Sequence, residues 1–153
     1  MIHRKLKFTE LNATPLGTVI AAPTAELREL FCRDGLKHFQ RIRSGNVLAT
    51  LIGLKKQFET LQKIRPETRA GAILQLELVL AARMAAASCG FVLWQQAVLA
   101  GDRARARALA TTGIRDLEQI DRLFENYWPL RNKGTTAKCS PFLQWRISDY
   151  RRK

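Results

Sequence analysis

Histidine and cysteine are scarce in this chain of 153 residues. Only His3 and His38 could supply imidazole, and the three cysteines, Cys32, Cys89 and Cys139, stand far apart. An odd cysteine count with no C-x-x-C spacing excludes a disulfide framework and a cysteine-based zinc site. Two imidazoles exclude a histidine-rich metal centre, so no metal and no cofactor are expected. Free buried thiols suit a reducing compartment, and a cytoplasmic location follows from that. Glycine-rich phosphate loops are missing: neither the P-loop nor G-x-G-x-x-G occurs. A signal peptide is not seen either, because Met1 to Lys7 leads into no apolar segment.

Acidic residues are also few. Thirteen Asp+Glu face 26 Lys+Arg, a formal net charge of +13, and the isoelectric point is near 10.5. Such a balance points to polyanions as partners. It is equally met by cationic side chains spread over solvated helix faces, since no run of like charge exceeds three residues.

Apolar residues recur at helical intervals over most of the chain. Residues 1–23 read as an irregular amino-terminal arm broken by Pro15, Gly17 and Pro23. Residues 24–153 read as a helical bundle domain. A first helix begins after Pro23, with Thr24 as its cap and Leu27, Leu30, Phe31, Leu36, Phe39 and Ile42 as its stripe, and stops at Ser44-Gly45. A second covers about Asn46 to Ile64 and ends at Arg65-Pro66, because Pro66 disfavours helical geometry in the preceding residue. The third, roughly Thr68 to Ala100, is apolar on nearly all sides and is expected at the bundle centre. Its uncharged stretch, Met84 to Ala100, carries Ser88, Gly90, Gln95 and Gln96 and reads as a buried helix, not a membrane span. Gly101-Asp102 supplies a stop and the next cap. A fourth helix runs from Arg103 to about Leu130, with Pro129 disturbing its last turn. Ser140-Pro141 opens a final helix, Phe142 to Tyr150. The expected fold is all-α: an up-and-down bundle of four to five helices with an irregular amino-terminal arm.

Nothing in this pattern forms a catalytic set. Glu118, Asp121 and Glu125 lie on a helix flank with spacing that suits salt bridges to Arg115 and Arg122. Cys32 and His38 fall on different faces of a straight helix. Arg103, Arg105 and Arg107 crowd a helix amino terminus, where positive charge opposes the macrodipole. Arg103 and Arg107 share a face; Arg105 points elsewhere. With Arg151 and Arg152 of the basic tail they are the candidate polyanion contacts. Trp94 reads as core. Trp128 and Trp145 neighbour Arg131 and Arg146, which suits core packing, cation–π packing or a ligand shelf.

The segment Phe124-Glu125-Asn126-Tyr127-Trp128-Pro129-Leu130-Arg131-Asn132-Lys133, a short loop and a last helix ending near Tyr150 resemble the carboxyl-terminal helical region of bacterial family 20 glycoside hydrolases, the β-N-acetylhexosaminidases. The resemblance spans about Leu54 to Arg152. It implies a detached module that supports assembly or a carbohydrate enzyme, with Trp128, Arg131 and Asn132 as binding positions; Trp145 joins them as a candidate through its own aromatic and basic surroundings. The family's adjacent Asp-Glu pair is missing, Gly134-Thr135-Thr136-Ala137 replaces its usual loop, and 153 residues cannot build its barrel. A non-enzymatic protein acting through a protein partner or self-association is therefore expected. A basic nucleic-acid-binding protein and a small interaction or effector protein stay open beside it.

Overall fold

The computed structural model describes residues 42–132, 136 and 141–151. The expected arm over 1–23, the first helix over 24–43 apart from its last two residues, most of the loop after Asn132, and Arg152 lie outside the described residues. Among the described residues all regular structure is helical: α1 Ser44–Lys63, α2 Arg69–Leu99, α3 Arg103–Arg131 and α4 Pro141–Arg151.

Local chemistry sets these boundaries. Ile64 leaves the helical region just ahead of Arg65-Pro66. The Thr68 hydroxyl accepts the Gly71 N–H at 3.1 Å and opens α2. Gly101 turns the chain at φ 72°, in the left-handed region that glycine enters without a Cβ clash. Asp102 Oδ1 then accepts the Arg105 N–H at 3.0 Å and starts α3. Pro129 does not end α3: the helix continues to Arg131, and the Asn132 N–H closes it on the Trp128 carbonyl at 2.9 Å. The Glu125 carbonyl that loses its usual donor belongs to an exposed residue, where water can replace it.

Side-chain ties show how the helices run. Ser44 Oγ donates to Gln96 Oε1, and Gln96 Nε2 donates to the Ile42 carbonyl, so the start of α1 meets the end of α2. At the other end Gln75 Nε2 donates to the Leu61 and Ile64 carbonyls. Arg83 donates to Gln119 Oε1 at 3.0 Å, joining α2 to α3. Gln144 Nε2 donates to Asp121 Oδ2 at 2.9 Å, joining α4 to α3. The core gathers Val47 of α1, Leu80, Phe91, Val92 and Leu93 of α2, Leu117, Ile120 and Phe124 of α3, and Leu143, Ile147 and Tyr150 of α4.

α2 packs against both α1 and α3, but its burial is uneven along its length. Its buried residues run from Leu80 to Ala97, while Leu74, Leu76 and Leu78 are exposed. The reason is geometric: α4 has 11 residues and its ring contacts with α2 reach only Phe91 and Trp94. Among the described residues the amino-terminal half of α2 thus has only α1 and α3 as neighbours. By length and composition α2 is also apolar enough to cross a membrane, a test that core helices of soluble proteins pass as well.

Candidate functional site

The carboxyl end of α3 is tied to α2 through one carboxylate. Tyr127 Oη donates to Glu77 Oε1 at 2.6 Å. Arg131 Nε donates to the same oxygen at 2.7 Å, and its Nη2 donates to Oε2 at 3.3 Å. This two-point contact fits the planar guanidinium to the carboxylate. The Arg131 hydrogen bond, then that of Tyr127, holds the Glu77 carboxyl below its ordinary range. The same carboxylate raises Tyr127 and keeps it a neutral donor. With both oxygens engaged, Glu77 is a poor base at neutral pH and serves to fix two helices.

That tie has a pH signature. Glu77 titrates lower in the folded chain than in the unfolded one, so its stabilisation is present above the ordinary carboxylate range. It fades as pH falls through the depressed folded value. Acid titration of the melting temperature is expected to show this loss in the native protein and a shallower slope in Glu77→Gln. Equal slopes would mean the contact is not held in solution.

The other positions read from this segment fall out separately. Trp128 is half-buried, its ring 5.3 Å from that of Phe124. Asn132 is exposed and contributes its backbone cap. Trp145 on α4 is 37% exposed, and among the described residues the two indoles share no ring contact. The expected pairing of Arg146 with a neighbouring indole is replaced by another: its guanidinium lies 4.9 Å from the centre of the Phe91 ring and its Nη2 sits 3.3 Å from Asp149 Oδ2. Arg131 turns to Glu77 in place of an aromatic face.

The acidic flank of α3 is also rearranged. Arg115 pairs with Asp116 at 3.3 Å, Glu118 faces Arg151 at 3.8 Å, and Asp121 accepts from Gln144. Among the described residues none of Glu118, Asp121 and Glu125 bridges to Arg115 or Arg122, and α4 takes Glu118 and Asp121 through Arg151 and Gln144. Arg151 is thus partly neutralised. Arg103, Arg105 and Arg107 are exposed and form no ion pair among the described residues. Arg103 and Arg107 line one cleft with Trp94, Val98, Ala106, Ala110 and Tyr150. Arg105 is not part of it.

Cys89 is a buried free thiol, pushed up in pKa by burial, which leaves it unreactive. Cys32, His38 and Cys139 lie outside the described residues. Among the described residues no three metal-binding side chains come together. Glu77 was not legible as a partner of Arg131. The signal was a lone carboxylate inside the apolar run Ile73 to Leu80.

Over the described residues these features define an all-helical protein whose acids pair with arginines, accept hydrogen bonds from tyrosine, glutamine or backbone donors, or stand exposed. No family model matches the chain, and neither a curated protein nor a solved structure matches it significantly.

Proposed function

We propose that this chain is a non-catalytic helical interaction protein, built as an up-and-down bundle of four to five helices, which works by assembly with a protein partner in a reducing, cytoplasmic setting. The observation that carries this reading is the exposed apolar pair Leu74 and Leu78, 52% and 45% exposed, four residues apart on one face of α2. Exposed apolar patches of this kind mark interaction surfaces. Arg65 and Arg69 are exposed near the same end of the helix, and the net charge of +13 disfavours pairing with a second copy. The matching partner presents an apolar helical face flanked by carboxylates. In the version that follows from the hexosaminidase resemblance, the partner is a glycosidase barrel and Trp128, Arg131 and Asn132 stand at its contact.

A designed amphipathic peptide with leucine on one face and glutamate on its flanks tests the surface. It is expected to bind the native chain, while a lysine-flanked version does not. Leu74→Glu with Leu78→Glu should abolish binding and leave the melting temperature unchanged, since both side chains already face solvent. Equal binding by the variant, or by the lysine-flanked peptide, would sink the reading.

A second reading, binding of nucleic acid, is favoured by the exposed Arg103, Arg105 and Arg107, which form no ion pair among the described residues. Phosphate contact there would draw on counterion release and fall with added salt.

A further inference from the structure

At the opposite end of α2 from the exposed leucines, a cleft of about 650 Å³ opens between α2, α3 and α4. That volume is in the range of small-molecule sites, roughly 300–1,000 Å³. Its walls follow from helical spacing. Arg103, Ala106, Arg107 and Ala110 fall at i, i+3, i+4 and i+7 and make one stripe of α3. Trp94 and Val98, four apart, make the facing stripe of α2, and Tyr150 of α4 completes the lining. A helix pair packed throughout would carry large apolar side chains along such a stripe. Here two alanines leave the space open and two arginines stand in it.

The aromatic floor is closely packed. The Trp94 and Tyr150 rings meet edge to face, with centroids 5.0 Å apart, and Phe91 backs both at 5.2 and 5.3 Å. Tyr150 is buried and its hydroxyl is held well above its ordinary pKa, chiefly by desolvation and then by Asp116, so Tyr150 stays neutral. The only described charges lining the cleft are the guanidiniums of Arg103 and Arg107. The nearby Asp102 carboxylate is directed at the Arg105 N–H.

We propose that this cleft is a binding site for a small aromatic anion, a planar ring bearing a phosphate or carboxylate. The ring lies against the half-buried Trp94, beside the buried edge of Tyr150, and the anionic group accepts hydrogen bonds from Arg103 and Arg107. Aromatic stacking and charge-assisted hydrogen bonds then act together, and the anion relieves two positive charges placed at the positive end of α3. This site is independent of the leucine face and stands or falls without it.

Calorimetric titration with 2-naphthyl phosphate, 2-naphthol and inorganic phosphate tests it. The naphthyl phosphate is expected to saturate a single site more tightly than either fragment and to shift the Trp94 indole resonance, assigned through Trp94→Phe. Arg103→Gln with Arg107→Gln should weaken it by roughly tenfold or more, the loss expected for charge-assisted hydrogen bonds, with unchanged melting temperature. Ala106→Trp should block it by filling the cleft. The proposal is overturned if phosphate alone binds equally well, which would indicate charge only. It is overturned likewise if 2-naphthol binds equally well, if the double arginine variant retains full affinity, or if no saturable binding occurs.

Discussion

Asp149→Ala is expected to destabilise the protein by about 3–5 kcal/mol, the cost of breaking a buried ion pair by removing one partner. Arg146 is only 3% exposed and Asp149 is 9% exposed, so neither charge is relieved by bulk water. The two face each other at 3.3 Å, one helical turn apart on α4, and the guanidinium lies over Phe91 of α2. Removing the carboxylate takes away the counter-charge that faces the guanidinium in a buried interface of low dielectric. Removing both charges is a different experiment. Arg146→Met with Asp149→Leu puts apolar groups of similar length against Phe91, and buried pairs replaced in this way are often near neutral. Urea titration of the two variants checks this: a steep loss for the single change and a much smaller loss for the double. A single variant as stable as the native chain would show that α4 does not dock in solution as described.

Gly113→Ala is expected to destabilise, against the usual direction of a glycine-to-alanine change in a helix. A Cβ at this position would run into the Tyr150 ring at Cζ, Cε2 and Oη, closer than real Cβ contacts come. Tyr150 cannot swing away, because it is buried and packed edge to face on Phe91 and Trp94. α4 must therefore shift off α3. Overpacking of this kind typically costs about 1–3 kcal/mol, and the approach here is close enough to reach the upper part of that range. The helix-propensity gain of alanine offsets only about 1 kcal/mol. Gly53→Ala is the control: an added Cβ meets nothing within 4 Å there, so the propensity gain stands alone and the protein is stabilised. Melting curves of the two variants should move in opposite directions. Two shifts of the same sign would remove Gly113 as the docking point of α4.

Helix boundaries were legible wherever a short-range rule decides them. Thr68, Gly101-Asp102 and Pro141 each act on the few residues beside them, and the helices begin and end there to within a residue or two. Pro129 disturbs the last turn of α3 by the one hydrogen bond it cannot donate, without ending the helix, because its effect depends on context. Near a helix end, with the orphaned carbonyl in water, the hydrogen-bond loss is mild. The grouping of Arg103 with Arg107 was visible from spacing. That they share a cleft with Trp94 and Tyr150 was not, because those residues come from three helices.

The chain's own order of residues determined that it is helical, where its described helices start and stop, and that it carries a large positive excess without metal-binding side chains in number. Those properties depend on neighbours within about one helical turn, or on composition alone. Which charges are buried, that Arg131 reaches Glu77 and Arg146 reaches Phe91, and that Leu74, Leu76 and Leu78 of α2 stay exposed were decided by tertiary packing. Such contacts join residues dozens of positions apart, and the same amphipathic stripe is satisfied by any apolar surface that happens to face it. Periodicity specifies that a face seeks cover; only the docked helices specify what covers it.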